Sequence, residues 1–196
     1  MSRRRRSQGQ VRIIAGRWRG RRLAVPEADV RPTGDRVRET LFNWLAPELA
    51  GARCLDLFAG SGALGLEALS RGAESAVLVE QDGRVADTLR HNRAELGADT
   101  ARIEVADALA YLGRAPAGPF DIVFLDPPFG SQAREPCLQA LDRPGWLSAG
   151  ALVYVESDPE REPPGLPAGW TEHRSARAGR CRYQLLRAPA APGKHR

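Results

Sequence analysis

The sequence predicts an α/β fold built on a mostly parallel sheet, and three observations predict it. From Ala52 onward, strand-like runs (near residues 52–57, 75–80, 102–106, 120–126 and 150–156) alternate with helical patterns (near 62–71, 83–96, 107–112 and 132–142). Such alternation gives parallel strands covered on both faces. The first strand runs into a glycine corner, Asp56-Leu57-Phe58-Ala59-Gly60-Ser61-Gly62-Ala63-Leu64-Gly65, from which a helix departs. Third, four acids, Asp56, Glu80, Asp107 and Asp126, fall at or just past the ends of the first four parallel strands. Open α/β sheets bind their ligands at that edge.

At 196 residues the chain suits one domain with a sizeable core and an appendage. Its apolar content of 42% is ordinary for a globular protein, and no apolar run approaches the ~20 residues of a membrane helix. A basic start without a following apolar region does not read as a signal peptide, so a cytoplasmic protein is expected. Cys54, Cys137 and Cys181 stand far apart and fit neither a disulfide framework nor a zinc pattern. With three scattered histidines, no metal site is expected.

Charge is informative in its placement. Residues 1–40 hold twelve arginines and four acids, whereas the whole chain is only +5. A basic front on a slightly acidic body suits a polyanion. Residues 1–10 have almost nothing to bury and are expected to form a disordered basic tail. Residues 11–30 form an extension. Val11 to Ala15 and Arg22 to Val25 read as short strands, with Gly16-Arg17-Trp18-Arg19-Gly20 as the turn of a basic hairpin. Trp18 at its tip either stacks on a base or packs on the domain.

Thr33 or Asp35 can cap the next helix, which runs to about Leu45 before Pro47 ends it. Val37, Leu41, Trp44 and Leu45 form its buried stripe. Arg36 and Arg38 lie off that stripe, facing phosphates or pairing with Asp35 and Glu39. The main domain then spans residues 31–187. It closes with two strand-like pieces near 169–174 and 181–187, read as an antiparallel finish to a seven-stranded sheet. Residues 188–196 form a flexible tail.

Two readings compete for the glycine corner. Gly60, Gly62 and Gly65 match the G-x-G-x-x-G dinucleotide pattern, and Glu80 lies where its ribose acid belongs. Yet Asp56 stands where a diphosphate would find an anion. A carboxylate there suits a cation, such as the ammonium of S-adenosylmethionine, which carries no phosphate. The second chemical motif is Asp126-Pro127-Pro128-Phe129 after the apolar run Ile122-Val123-Phe124-Leu125. As structure alone it is a strand with a proline-stiffened turn. As a site, Asp126 and the Pro127 carbonyl accept the two hydrogens of an exocyclic amine while Phe129 stacks on its ring.

Asp56 to Gly65, Glu80, Asp107 and Asp126 to Phe129 resemble the ordered motifs of class I S-adenosylmethionine-dependent amino methyltransferases. Arg31-Pro32-Thr33 with Asp35-Arg36-Val37-Arg38-Glu39-Thr40-Leu41-Phe42-Asn43-Trp44-Leu45, the run from Asp56 to Ala73 and the basic hairpin resemble more narrowly the RsmD family, bacterial 16S rRNA (guanine-N2) methyltransferases. The similarity covers residues 11–187. It implies a Rossmann-like class I methyltransferase whose C-terminal region adds an antiparallel strand. It further implies S-adenosyl-L-methionine as cofactor, bound by Asp56, Phe58, Gly60 and Gly62 at the methionine end, Glu80 at the ribose and Asp107 at the adenine. Asp107 taken alone also reads as a helix N-cap. Asp126, Pro127 and Phe129 are implied to be catalytic. The implied partner is 16S rRNA within a small-subunit particle, met by a monomer through Arg12, Arg17, Trp18, Arg19, Arg31, Arg36 and Arg38. Other readings of the motifs are an adenine-N6 methyltransferase acting on DNA or another RNA, an NAD enzyme, and a non-catalytic ribosome-binding factor.

Overall fold

The computed structural model describes residues 10–25, 34–128, 130–157, 165–179 and 181–190. Arg31, Thr33, Phe129 and most of the expected 1–10 and 188–196 tails lie outside the described residues. The start of the latter is no loose tail, since Ala188 is buried and its N–H donates to the Ala151 carbonyl at 2.9 Å.

The chain begins with a hairpin of β1 (Gln10–Arg12) and β2 (Arg22–Ala24), followed by α1 (Asp35–Leu49). The alternating region then runs β3 (Arg53–Asp56), α2 (Gly65–Ser70), β4 (Ser75–Glu80), α3 (Gly83–Leu96), β5 (Ala101–Val105), α4 (Ala108–Leu112), β6 (Phe120–Leu125), α5 (Arg134–Leu141) and β7 (Leu147–Ser157). It ends in β8 (Thr171–Ala178) and β9 (Cys181–Arg187).

Seven strands form one sheet in the order β5-β4-β3-β6-β7-β9-β8. Neighbours from β5 to β7 are parallel, and β9 runs antiparallel between β7 and β8. Ile122, Val123, Phe124 and Leu125 are fully buried because β6 is central and covered on both faces. Their alternation divides two cores. Ile122 and Phe124 face the side packed by the hairpin, α1, α2 and α3, while Val123 and Leu125 face α4 and α5.

Local chemistry explains the element ends. Asp82 caps α3 by accepting the N–H groups of Arg84 and Val85, and Gly97 ends it at φ 60°. In α1, Pro47 does not end the helix, contrary to the sequence reading, since the helix continues to Leu49. Pro47 deprives only the Asn43 carbonyl of a donor, on an exposed residue, while Leu49 is drawn into the core. Residues 61–64 form turns rather than helix, so the helix expected from residue 62 starts at Gly65.

Candidate active site

Parallel pairing brings the four acids to one edge. Asp56 ends β3, Glu80 ends β4, Asp107 lies just past β5, and Asp126 directly follows β6. In spatial order along the rim they run Asp107, Glu80, Asp56, Asp126.

The turn after β3 leaves the sheet between its two neighbours. Leu57 N–H donates to the Phe124 carbonyl of β6 at 3.0 Å, and Ala59 N–H to the Val79 carbonyl of β4 at 2.9 Å. Gly60 and Gly62 then take φ values of 52° and 83°, backbone that favours glycine. A Cβ on Gly62 would meet Leu89 and Leu66 at 2.6 and 2.7 Å. At that position the crowding comes from the protein's own core.

Asp56 is 2% exposed. Its Oδ2 accepts the Gly65 N–H at 3.1 Å, and the Phe58 backbone N–H also donates to it. Burial pushes its carboxyl up to about 7, against these two bonds and with a smaller push from Glu80. A buried acid held only by neutral donors fits a ligand ammonium, which would restore its charge. Glu80 accepts Gly60 N–H on Oε2 at 3.0 Å and Asp82 N–H on Oε1 at 2.9 Å. Each oxygen keeps a second lone pair for a hydroxyl donor. Asp107 is both exposed and the N-cap of α4, accepting Ala110 N–H at 2.9 Å. Val105 and Leu109, two of three exposed large apolar residues among those described, flank it.

At the other end of the rim, Asp126 and Pro127 are half-buried. The Leu125–Val155 pairing places them beside Glu156 on β7. There Glu156 accepts the Tyr154 hydroxyl at 2.6 Å and the Cys181 thiol at 3.1 Å. Burial, then Glu156 and Asp126, push both of these groups up.

Two of the residues assigned to RNA are not surface groups. Trp18 is buried against the domain, its backbone N–H donating to the Ser70 hydroxyl at 3.0 Å, so its ring packs rather than standing free to stack. Arg38 is 0% exposed. It donates to Asp35 at 2.7 Å and to the Arg12 carbonyl at 3.0 Å, and lies 3.7 Å from Glu67. It belongs to the buried stripe after all, one turn before Phe42 and in line with Leu45 and Leu49. Arg17, Arg19 and Arg36 are exposed, whereas Arg12, also exposed, is tied to Asp35 at 2.8 Å.

Sequence reasoning missed Glu67, Ser70 and Asn92, all buried, which seat the hairpin. Glu67 accepts Ile14 and Ala15 N–H at 2.7 and 3.0 Å, and Ser70 donates to the Ala15 carbonyl at 2.6 Å. Asn92 accepts from Ala24 at 2.9 Å. A charged or polar residue on the apolar face of a helix was the available signal.

A seven-stranded sheet of this order, with one reversed strand beside its edge and a ligand corner after its first parallel strand, defines a class I S-adenosylmethionine-dependent methyltransferase. The chain matches the family described as Conserved hypothetical protein 95 over residues 11–187 and belongs to that family, the RsmD family. It is 51% identical to Ribosomal RNA small subunit methyltransferase D of Escherichia coli strain K12, over 93% of this chain and 92% of that one. The Haemophilus influenzae protein of the same name is 44% identical, over 91% and 94%. A solved structure described as putative methyltransferase yhhF from Escherichia coli superposes with TM-score 0.86 at 50% identity, covering 93% of this chain and 99% of that one. At 18% identity the fold alone is shared with a Salinibacter ruber RNA methyltransferase solved with S-adenosyl-L-homocysteine, at TM-score 0.63 over 84% and 97%.

Proposed function

We propose that this enzyme transfers a methyl group from S-adenosylmethionine to the exocyclic N2 of a guanine in 16S rRNA. The observation that carries the reading is the ordered rim of Asp107, Glu80, Asp56 and Asp126 on four neighbouring parallel strands. The names of the relatives favour small-subunit rRNA over DNA. Guanine N2 rests on the family resemblance.

When bound, the cofactor supplies an electrophilic methyl group on a positively charged sulfur. Asp56 would hold the ammonium of its methionine part beside the Phe58–Gly62 turn, Glu80 its ribose hydroxyls, and Asp107 its adenine amine. Val105 and Leu109 offer the ring an apolar shelf. Asp126 and the Pro127 carbonyl accept both hydrogens of the target amine. They turn its lone pair out of conjugation with the ring and favour positive charge as it develops there. By the family resemblance, Phe129 would stack on the base. Holding the amine in line with the donor contributes up to ~7–11 kcal/mol where alignment is good.

Exposed Arg17, Arg19 and Arg36, with Arg12 and Arg31, would meet rRNA phosphates. No helix among the described residues is long and apolar enough to cross a membrane. With rRNA as substrate, we place the reaction in the cytoplasm, on a small-subunit particle, carried out by a monomer.

Asp126→Ala should keep its affinity for S-adenosylhomocysteine and lose about 100–1000-fold in turnover, the usual cost of a lost electrostatic group in an active site. Near-normal turnover would sink that role. Mass spectrometry of 16S rRNA nucleosides, with and without the gene, tests the activity, and an unchanged N2-methylguanosine level rejects it.

A further inference from the structure

We infer that Asn92 is a positioning residue that couples the cofactor turn to the basic hairpin, an inference that rests on reading the hairpin as an rRNA contact. Asn92 lies within α3 and is 2% exposed. Its Oδ1 accepts the Ala24 N–H at 2.9 Å, and its Nδ2 donates to the Ala24 carbonyl and to the Ser61 carbonyl, each at 2.9 Å. All three partners are backbone groups. Ala24 is the last residue of β2, and Ser61 stands between Gly60 and Gly62 in the cofactor turn. One planar amide therefore holds two segments that the proposed function gives to different ligands.

The rest of α3 reinforces the tie. Leu89, one turn before Asn92, fills the space beside Gly62. At the start of α3 the ribose acid Glu80 bridges Gly60 N–H and the N–H of Asp82, the helix cap. Near its end the Glu95 carbonyl accepts the exposed Arg21 guanidinium at 2.7 Å. The helix thus touches the turn from two sides and the hairpin at two points. Asparagine is a weak helix former, so its place on the buried face with Val85, Leu89 and Leu96 reflects these bonds rather than helix stability.

A ligand that orders either segment also fixes the Asn92 amide, which lowers the cost of ordering the other segment. Linkage makes the effect reciprocal: cofactor tightens RNA binding by the same factor as RNA tightens cofactor binding.

The test compares the full chain with Asn92→Ala by calorimetry, with S-adenosylhomocysteine as probe, in the absence and presence of saturating 16S rRNA. The wild type should bind the probe at least about fivefold tighter with RNA, and Asn92→Ala should show a ratio below about twofold. A purely structural Asn92 would lower the melting temperature and leave the ratio unchanged. An unchanged ratio, or a wild-type ratio of one, overturns the proposal. If the wild type binds no RNA, the functional reading fails instead, and amide exchange at Ala24 decides the coupling. S-adenosylhomocysteine alone should slow that exchange several-fold in the wild type, and unchanged exchange overturns the tie. This second measurement needs neither RNA nor a variant, so it also holds where Asn92→Ala does not fold.

Discussion

The glycine corner and the hairpin seam each contain a buried carboxylate, and the chain surrounds the two differently. At the seam, Glu67 is 0% exposed and receives two backbone N–H bonds, an Arg71 bond at 2.7 Å and the Arg38 guanidinium at 3.7 Å. At the corner, Asp56 receives backbone N–H groups alone, and its nearest charged influence is another acid, Glu80. A buried anion whose cations come from its own chain is structural cement. A buried anion left with neutral donors is open to a cation from outside, the role proposed for Asp56. Burial alone therefore does not mark a binding residue; the source of the counter-charge does.

The largest effect should come from Glu67→Ala. It removes the carboxylate paired with Arg71 and one of the two beside buried Arg38 and opens the hairpin seam, and breaking such a buried pair costs about 3–5 kcal/mol. Denaturant unfolding measures it, and a loss below about 1 kcal/mol would erase the contrast with Asp56. Next, Asp56→Asn should weaken S-adenosylhomocysteine binding about 10–100-fold, read by calorimetry, since each factor of ten is about 1.4 kcal/mol. At pH 8 the same change should leave the melting temperature unchanged or raise it, because it removes a buried charge without a partner cation.

The pH dependence should follow from Asp56 being raised from 3.8 to about 7. Between those values the folded chain keeps a proton that the unfolded chain has lost. This group's contribution to stability therefore declines as pH rises through that window and is flat above it. Cofactor affinity should run the other way. It climbs up to about tenfold per pH unit until about 7 and then levels, because the ammonium pairs with the ionised acid. A pH-independent affinity between 5.5 and 8.5 would remove Asp56 as its partner. The smallest effect belongs to the exposed Arg17 and Arg19. Replacing either with Ala should lower the slope of log affinity against log salt by about 0.7–0.9, with stability unchanged.

Much of the parallel region was legible because its strands are short apolar runs and its acids recur at their ends. Parallel strands follow from that alternation, which puts the rim acids on one edge; their spatial order β5-β4-β3-β6 came from the structure. The seam was not legible. Arg38 reads as surface because charge is usually exposed, and only its partners Glu67 and Asp35 permit burial. Trp18 reads equally as a stacking platform or an anchor until Ser70 and the apolar floor beneath it are known. The pairings that seat the hairpin on Glu67, Ser70 and Asn92 link residues about fifty or more positions apart, where local pattern carries no information. The same seam makes deletion of residues 1–25 a poor test of RNA binding. It would unseat Ile13 and Leu23 from the core as well as remove arginines.

The distance in sequence between the hairpin and its anchors sets an order of events during synthesis. Residues 10–25 are made before the groups that seat them, since Glu67, Ser70 and Asn92 follow fifty or more residues later. Until α3 has emerged, Ile13, Trp18 and Leu23 lack part of the core they enter, including Leu89 and Leu96. The hairpin therefore docks only after the elements that seat it have been made.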